Sequence, residues 1–282
     1  HVGARAMCGT AGGGFALMTE AIGEAAMTET PIVVVEVQRG GPSTGVPTKT
    51  EQADLFQLLG ASQGDFPKAI LAPRTLSECY TMAIEAFNLA EKYQCPVLIT
   101  SDLYLAERNE TLDGLDITHI NIERGLLVTQ GNGDAYRRFQ NTPTGVSPRA
   151  FPGTPGTVYV AATDEHDEDG VVISDVFTNP PMRAKMMDKR MRKLQFLLNE
   201  WPEPELEGPR DAPLTLVGWG STYQVLREAM DELNREGTEA NLFAPRYLWP
   251  FKGEAARRLL ERCTMTLAVE ANYTGQFAKF LR

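Results

Sequence analysis

The strongest constraint on the fold is an alternation of strand and helix patterns in the first hundred residues. Ile32–Val37 and Pro96–Thr100 are largely β-branched apolar runs, which are typical of strands buried on both faces. Between them, Leu76–Tyr93 carries apolar residues at helical spacing, and Thr75 with Glu78 forms a capping-box pattern. Because parallel strands are joined through long crossovers, this alternation predicts a parallel sheet with right-handed connections.

A second series of strand and helix patterns follows a long irregular stretch. Residues 107–157 hold four prolines among many Gly, Thr and Asn and show no periodicity, which favours a connection across the surface. We expect a short strand at 157–162, a basic helix at Pro181–Asn199, and alternating elements from Pro213 onward. The predicted fold class is therefore α/β with two parallel-sheet domains, comprising residues 1–105, an interdomain connection at 106–156, and residues 157–282.

Composition excludes several classes of protein. With 27 Lys and Arg against 37 Asp and Glu, the net charge is −10, which argues against nucleic acid as a partner. No apolar run approaches the roughly 20 residues of a membrane helix, so we expect no membrane association. The 4 cysteines are far apart, which predicts reduced thiols in a cytoplasmic protein and no zinc or iron–sulfur site built from this chain alone.

A run of glycines lies at the junction between a predicted strand and a predicted helix. Gly12, Gly13 and Gly14 precede Phe15 and a helical pattern that continues to Met27. Glycines let a backbone approach a ligand closely, and a helix N-terminus favours an anion. The run fits neither the dinucleotide fingerprint nor the P-loop, and a tight strand-to-helix turn explains it equally well.

The segment after the strand Ile32–Val37 is a sharper candidate. Arg39 follows the strand directly, and its planar guanidinium suits a carboxylate or a phosphate. Hydroxyl groups and a second cation follow in the same loop, at Ser43, Thr44, Thr48 and Lys49. The alternative is a surface loop whose arginine merely pairs with an acidic neighbour.

Two other polar clusters have simpler explanations. In Gly218–Thr222, Ser221 or Thr222 could cap the following helix and do no more. Asp164–Asp169 contains His166 but lacks the spacing of a calcium loop, so we expect an exposed acidic turn rather than a metal site. The 3 histidines do not support a Ser-His-Asp or Cys-His hydrolase.

These loops belong to a longer series of segments that spans almost the whole chain. The segments are Gly3–Met7 with Gly12–Glu20, Val35–Gly45 with Thr48–Gln52, Gly145–Arg149 with Pro152–Gly153, Glu165–Asp167 with Gly170, Gly220–Thr222, Leu248–Phe251 and Asn272–Gln276. In this order they resemble the α chain of the 2-oxoacid:ferredoxin oxidoreductases, in particular the 2-oxoglutarate type. The Arg39 loop is the most specific part of the resemblance.

The resemblance implies an activity and a site. Enzymes of this family decarboxylate a 2-oxoacid on thiamine diphosphate, transfer the acyl group to coenzyme A and pass electrons to ferredoxin. Residues 1–105 would form a pyrimidine-binding domain, and residues from 157 onward a transketolase-C-terminal-like domain. Arg39 would bind the substrate carboxylate with help from Ser43, Thr44, Thr48 and Lys49. Gly12, Gly13, Gly14 and Phe15 would shape the pyrimidine pocket.

The same resemblance implies that the chain works only with a partner. The diphosphate, its Mg²⁺ and the iron–sulfur cluster would lie on a β subunit in an α2β2-type assembly, and the glutamate that acts on the aminopyrimidine would lie before His1. Two alternatives stay open. One is a subunit of an E1-β-like or transketolase-like enzyme, and the other is a non-catalytic α/β scaffold subunit.

Overall fold

Two sheets organise the part of the chain that the computed structural model describes, which is residues 2–112, 114–173 and 179–282. The strands are β1 (Met7–Thr10), β2 (Ile32–Gln38), β3 (Ala69–Leu71), β4 (Pro96–Asp102), β5 (Leu214–Val217), β6 (Ala240–Phe243), β7 (Tyr247–Trp249) and β8 (Met265–Ala268). The first sheet has the order β1-β2-β4-β3-β7 and the second has the order β6-β5-β8. The predicted α/β class with two parallel sheets is therefore confirmed.

Helices connect successive strands, and one long helix lies between the two strand series. They are α1 (Gly12–Met27), α2 (Leu55–Gly60), α3 (Leu76–Tyr93), α4 (Leu103–Ala106), α5 (Pro180–Glu200), α6 (Thr222–Arg235), α7 (Gly253–Leu260) and α8 (Gln276–Leu281). A 3-10 turn occupies Gly133–Ala135. No helix among the described residues is long and apolar enough to cross a membrane.

The two faces of the first sheet carry different cores. On one face, Val34 and Leu98 pack with Phe15 of α1 and with Trp219 and Phe277 from the second strand series. The other face packs against α3 and against Leu197 and Trp201 near the end of α5. The first face therefore shares a single hydrophobic core with the second sheet, and α5 covers the opposite side.

Strand β7 lies in the first sheet although the chain reaches it only after β5 and β6. It pairs antiparallel with β3 through Ile70–Trp249 and Leu71–Tyr247. Tyr247 also stacks on Trp201, with ring centroids 4.3 Å apart. Both α5 and β7 thus pack on the first sheet, although both fall in the range predicted for the second domain.

Local predictions succeed where sequence periodicity and burial agree. Helix α3 begins and ends as predicted, and the Thr75 hydroxyl accepts a hydrogen bond from the Glu78 backbone nitrogen at 3.1 Å. The strand predicted at 157–162 is wrong, because this segment pairs with no strand among the described residues and Val158 is 96 % exposed.

Buried ion pairs hold helix α5 and the irregular connection on the first sheet. The carboxylate of Glu29, just after α1, forms ion pairs with the ammonium groups of Lys189 and Lys193 on α5. All three side chains are at most 1 % exposed. Arg138 donates to the Thr28 and Glu29 carbonyl oxygens at 3.3 and 2.7 Å. These ion pairs add to the apolar contact that Leu197 and Trp201 make on the same face.

The acidic segment 164–169 departs from the expectation of an exposed turn. Glu165 and His166 are buried, and the Glu165 carboxylate binds Arg190 at 2.7 Å. His166 packs against the Phe139 ring with centroids 4.0 Å apart. The expectation is wrong for these two residues because arginines of α5 neutralise the carboxylate and so allow its burial.

Candidate functional site

The candidate site lies at the carboxyl ends of β1 and β2. The glycine run begins α1 immediately after β1, and Arg39 follows the last residue of β2. In open parallel sheets this edge is where ligands bind. The sequence-predicted residues therefore come from two adjacent strand ends.

The three glycines of the run face different neighbours. A Cβ at Gly12 would overlap Oδ2 of Asp54, and one at Gly14 would overlap Oγ1 of Thr10. Gly13 is exposed, and a Cβ there would meet only the Ser43 carbonyl oxygen, at 4.0 Å. Gly13 thus presents open backbone, whereas Gly12 and Gly14 make room for neighbouring side chains.

Phe15 differs from the other residues predicted to line a cofactor pocket. Its side chain is fully buried in the core that the two sheets share. It supports the first turn of α1 from below and has no exposed surface to offer a ligand.

Backbone hydrogen bonds fold the Arg39 loop back on itself. The Gly40 nitrogen donates to the Lys49 carbonyl oxygen and the Val46 nitrogen donates to the Gly40 carbonyl oxygen, each at 2.8 Å. Gly45 has φ +50°, and a Cβ there would overlap the Gly40 carbonyl oxygen. The loop is therefore a closed turn that only glycine permits at this position.

The polar side chains of this loop make few contacts. The guanidinium of Arg39 lies 3.5 Å from the Pro47 carbonyl oxygen, and no carboxylate within the described ranges forms an ion pair with it. Ser43, Thr44, Thr48 and Lys49 are all exposed. A surface arginine that merely pairs with an acidic neighbour is thus not what the structure contains, and the loop offers two cations and three hydroxyls to a ligand.

A buried polar cluster lies beneath these loops, on the face of the first sheet that carries Val34 and Leu98. The buried polar cluster consists of Glu36, Gln38, Gln52, Asp54, Thr100 and Asp102. The side chain of Gln38 donates to the Thr100 hydroxyl at 2.7 Å and accepts from the Asp54 backbone nitrogen at 2.9 Å. Along β2 and β4 the apolar core therefore becomes polar toward the ligand-binding edge.

The buried polar cluster also joins the two sheets. The Gln52 amide donates to the Asp102 carboxylate and to the Trp219 carbonyl oxygen, each at 3.1 Å. The Ser221 hydroxyl donates to the same carboxylate. Ser221 occupies the N-cap position of α6 but makes no capping hydrogen bond. The expectation that it only caps this helix is wrong, because Asp102 of the first sheet takes its hydroxyl hydrogen.

Glu36 has the most unusual environment in the cluster. It is fully buried, and no N–H or hydroxyl group of the described residues donates to either of its carboxyl oxygens. Burial, together with the nearby carboxyl groups of Asp54 and Asp102, raises the pKa of Glu36 to about 9. Burial also raises the pKa of Asp54, although the hydrogen bond with Glu36 opposes this shift.

The sequence patterns did not single out Glu36, Asp54 or Asp102 as functional residues. Glu36 stands in the run Ile32–Val37, which its composition identifies as a doubly buried strand. A carboxyl group in such a strand is the one available signal, because an ionisable group is seldom buried without a partner.

The C-terminal motif around Asn272 binds the backbone of Gln52 and of the residue that follows it. The Asn272 amide donates to the Gln52 carbonyl oxygen at 3.1 Å, and the Gln276 amide donates to the Ala53 carbonyl oxygen at 2.6 Å. Glu270 accepts from the backbone nitrogens of Phe277 and Ala278 at 2.7 and 2.9 Å, and so caps α8. The segment before α2 is thereby held between the two sheets.

The open backbone at Gly13 suits an uncharged aromatic ring better than it suits a phosphate group. The first turn of α1 already has the Asp54 carboxylate against Gly12, which occupies the positive helix end that would attract a second anion. Within the described ranges, no group of three or more His, Cys, Asp and Glu side chains could hold a metal ion. A flat, uncharged ring requires neither a free positive helix end nor a metal ion, and it can pack on the exposed backbone.

Comparison with known families gives two matches on this chain. Residues 1–186 match the family described as "Pyruvate flavodoxin/ferredoxin oxidoreductase, thiamine diP-bdg". Residues 212–280 match the family described as pyruvate:ferredoxin oxidoreductase core domain II. Together the two matches cover both strand series.

Curated relatives agree with this match. The chain is 40% identical over 285 residues to the α subunit of 2-oxoacid:ferredoxin oxidoreductase 2 from Aeropyrum pernix, covering 99% of this chain and 43% of that relative. It is 31% identical to the 2-oxoglutarate synthase subunit KorA of Methanothermobacter thermautotrophicus, covering 99% of this chain and 73% of that subunit. The chain thus spans less than half the length of the first of these relatives.

Among solved structures, 2-oxoglutarate:ferredoxin oxidoreductase from Magnetococcus marinus is similar to this chain along almost all of its length. The TM-score is 0.87 at 36% identity, over 99% of this chain and 48% of that one. That structure contains 2-oxoglutarate, coenzyme A and succinyl-CoA.

Proposed function

Because the chain belongs to the family of 2-oxoacid:ferredoxin oxidoreductase α subunits, we propose that it forms part of an enzyme that oxidatively decarboxylates 2-oxoglutarate. The products would be succinyl-CoA and CO₂, with the electrons passed to ferredoxin. The observation that carries the proposal is Arg39, a cation on a closed loop beside the open backbone of Gly13 and without a carboxylate partner among the described residues.

In this proposal the Arg39 loop binds the substrate. The Arg39 guanidinium binds the carboxylate next to the keto group through a charge-assisted, bidentate contact. Lys49 and Thr48 bind the second carboxylate of 2-oxoglutarate, and the hydroxyls of Ser43 and Thr44 orient the substrate. Because the backbone hydrogen bonds close the loop, these groups reach the substrate already ordered.

The glycine run is proposed to hold the cofactor. Gly13, with Gly12 and Gly14 on either side, offers bare backbone to the aminopyrimidine ring, while Phe15 supports the helix turn beneath it. Thiamine diphosphate, when bound, supplies the electron sink that allows CO₂ to leave. We infer that its diphosphate, Mg²⁺ and the iron–sulfur cluster lie on a β subunit.

The remaining components of the proposal concern the assembly. We propose a hetero-oligomer of the α2β2 type, with ferredoxin as the electron acceptor and coenzyme A as cosubstrate. The four cysteines of the chain are free thiols, which supports a reducing, cytoplasmic location. The name "subunit alpha" of several relatives supports a partner chain.

The experiment is a kinetic comparison of Arg39 variants in the assembled enzyme. Loss of a charged hydrogen bond is worth about 1.5–3 kcal/mol, so Arg39→Ala should lower kcat/KM for 2-oxoglutarate about 10- to 100-fold, mostly through KM. Arg39→Lys should recover only part of the loss, because it keeps the charge without the planar fork. Arg235→Ala, at an exposed position at the end of α6, is the matched control.

Substrate choice is tested in the same assay with pyruvate and a branched 2-oxoacid. Highest turnover with pyruvate would contradict the role proposed for Lys49. Wild-type kinetics of Arg39→Ala would overturn the proposed carboxylate site. An assembled complex that binds no thiamine diphosphate would indicate a scaffold subunit, and 2-oxoacid turnover without ferredoxin reduction would indicate an E1-β-like or transketolase-like enzyme.

A further inference from the structure

Glu36 occupies a central position beneath the candidate site. Strand β2 lies between β1 and β4, and Glu36 is in register with Thr10 on one side and Thr100 on the other. Its side chain points into the layer that holds Gln38 and Asp102, and it is fully buried. A carboxylate at such a place normally requires a cation or several donors.

No such partner reaches Glu36. Neither of its carboxyl oxygens has a donor within the described part of the chain. The titratable groups that face it are acids: Asp54, just before α2, and Asp102, at the end of β4. The first turn of α1, which packs above it, contains only Gly12, Gly13, Gly14 and Phe15. The titratable groups that face Glu36 therefore all carry like charge.

Asp54 lies beside the same strand, because Gln38, two residues along β2 from Glu36, accepts a hydrogen bond from the Asp54 backbone nitrogen at 2.9 Å. Neighbouring carboxyl groups in a buried site are not both ionised, and the more buried of the two keeps the proton. Glu36 is fully buried, whereas Asp54 is only partly buried. This geometry favours a proton on Glu36, which would then be donated toward the Asp54 carboxylate. This arrangement explains why no other donor is needed at Glu36.

Asp54 in turn touches the start of α1. Its Oδ2 lies where a Cβ of Gly12 would be. The N-cap residue of this helix, Ala11, has no side chain that can cap it, so the Asp54 carboxylate is the negative charge beside the positive helix end. The Asp54 backbone nitrogen is fixed by Gln38 at 2.9 Å. A continuous chain of contacts thus runs from Glu36 through Asp54 to the glycine run.

We propose that Glu36 is a protonated positioning residue, which holds the Asp54 carboxylate against Gly12 and so sets the position of the glycine run relative to the Arg39 loop. The proposal rests on the proposed function, because the glycine run and the Arg39 loop are the cofactor and substrate sites assigned above. Glu36 itself touches neither ligand. It acts through Asp54.

A pH dependence follows from this arrangement. When Glu36 loses its proton, two carboxylates face each other beside α1, the hydrogen bond is lost, and Asp54 moves away from Gly12. Since burial and the neighbouring acids raise the pKa of Glu36 to about 9, kcat/KM should fall as the pH passes through this alkaline range. Glu51, which also acts on Asp54, adds to the repulsion.

The first experiment detects the proton on Glu36 by infrared spectroscopy and does not depend on enzyme turnover. Infrared difference spectra of the assembled enzyme at neutral pH, with Glu36→Gln as the subtracted variant, should contain the carbonyl-stretch band of a buried protonated carboxylic acid. The band should titrate away at alkaline pH. Glu228→Gln, at an exposed position on α6, should leave the band in place. If no such band belongs to Glu36, the proposal is overturned, whatever the substrate of the enzyme is.

The second experiment separates positioning from simple packing. Glu36→Ala removes the donor to a charged group and should lower kcat/KM about tenfold or more. Glu36→Gln keeps a donor of the same shape, so it should recover most of that loss and should lack the alkaline fall that the wild-type enzyme shows near the pKa of Glu36. A Glu36→Gln enzyme that is folded but as impaired as Glu36→Ala would overturn the proposal. If the wild-type assembly does not turn over 2-oxoglutarate, the proposed function fails while the infrared result still decides the protonation of Glu36.

Discussion

At the scale of single residues, the chain buries ionisable groups whose surroundings the sequence pattern does not identify. Glu36 interrupts a β-branched strand, and Lys189 and Lys193 are buried on the helix that the sequence predicts as basic. Burial lowers the pKa of Lys189 to about 7, although Glu29 opposes the shift. Glu29, the partner of both lysines, is 160 and 164 residues away in sequence, so local spacing could not have identified it.

The proton on Glu36 should also appear in the stability of the fold. The pKa of Glu36 is about 9 in the folded chain against 4.5 for the free side chain. Its contribution to stability is therefore fully present below 4.5 and is lost as the pH rises toward 9, at up to about 1.4 kcal/mol per pH unit. Glu36→Gln does not titrate, so its free energy of unfolding relative to wild type should grow over this range. Chemical denaturation of the assembled enzyme at several pH values measures the difference.

The control for this measurement is Glu228→Gln, whose stability should follow the wild-type pH dependence. A constant difference between Glu36→Gln and wild type across the range would show that Glu36 is ionised at neutral pH in the folded enzyme.

At the scale of elements, sequence periodicity predicts the strands and helices whose apolar residues follow the strand or helix spacing and are buried in the structure. Helix α3 was predicted with its cap, since apolar spacing and Thr75 agree on the same start. The strand predicted at 157–162 was wrong, because this segment pairs with no strand among the described residues. Helix α2 begins at Leu55, after Gln52 and Asp54, whose side chains belong to the buried polar cluster. The Arg39 loop was predicted as a site from residue types alone, whereas its closure by backbone hydrogen bonds required the structure.

The cap of α3 makes a prediction at this scale. Thr75→Ala removes the acceptor for the Glu78 backbone nitrogen, and loss of an N-cap costs about 1 kcal/mol. Ser77→Ala, two residues further along at an exposed position without a capping role, should leave stability unchanged. Thermal unfolding of the two variants provides the test, and equal midpoints would contradict a capping role for Thr75.

At the scale of the whole molecule, buried charge joins apolar contact in holding the irregular connection and α5 on the first sheet. Although burial alone would raise it, the ammonium groups of Lys189 and Lys193 and the guanidinium of Arg138 hold the pKa of Glu29 well below its usual range. One carboxylate therefore balances cations from two different segments. Such a cluster favours one docking position for α5, because its buried lysines need the carboxylate of Glu29.

Removing the carboxylate of Glu29 should lower the free energy of unfolding. Glu29→Gln leaves Lys189 and Lys193 buried without an anion, and breaking a buried ion pair from one side costs about 3–5 kcal/mol. The matched control is Glu254→Gln, which breaks an exposed pair with Arg257 on α7 and should cause no measurable change. Denaturant midpoints of the assembled enzyme compare the two, and similar midpoints would contradict the role of Glu29 in docking α5.

The late strand β7 has a consequence for how the chain is made. Strand β3 is synthesised long before the strand that covers its outer edge, because β7 follows β5 and β6 in the chain. A nascent chain therefore carries the fully buried residues Ala69, Ile70 and Leu71 on an open strand edge while much of the polypeptide is still on the ribosome. An open apolar edge invites pairing with other chains, so chaperones that bind extended apolar segments should engage this subunit until residue 249 has emerged.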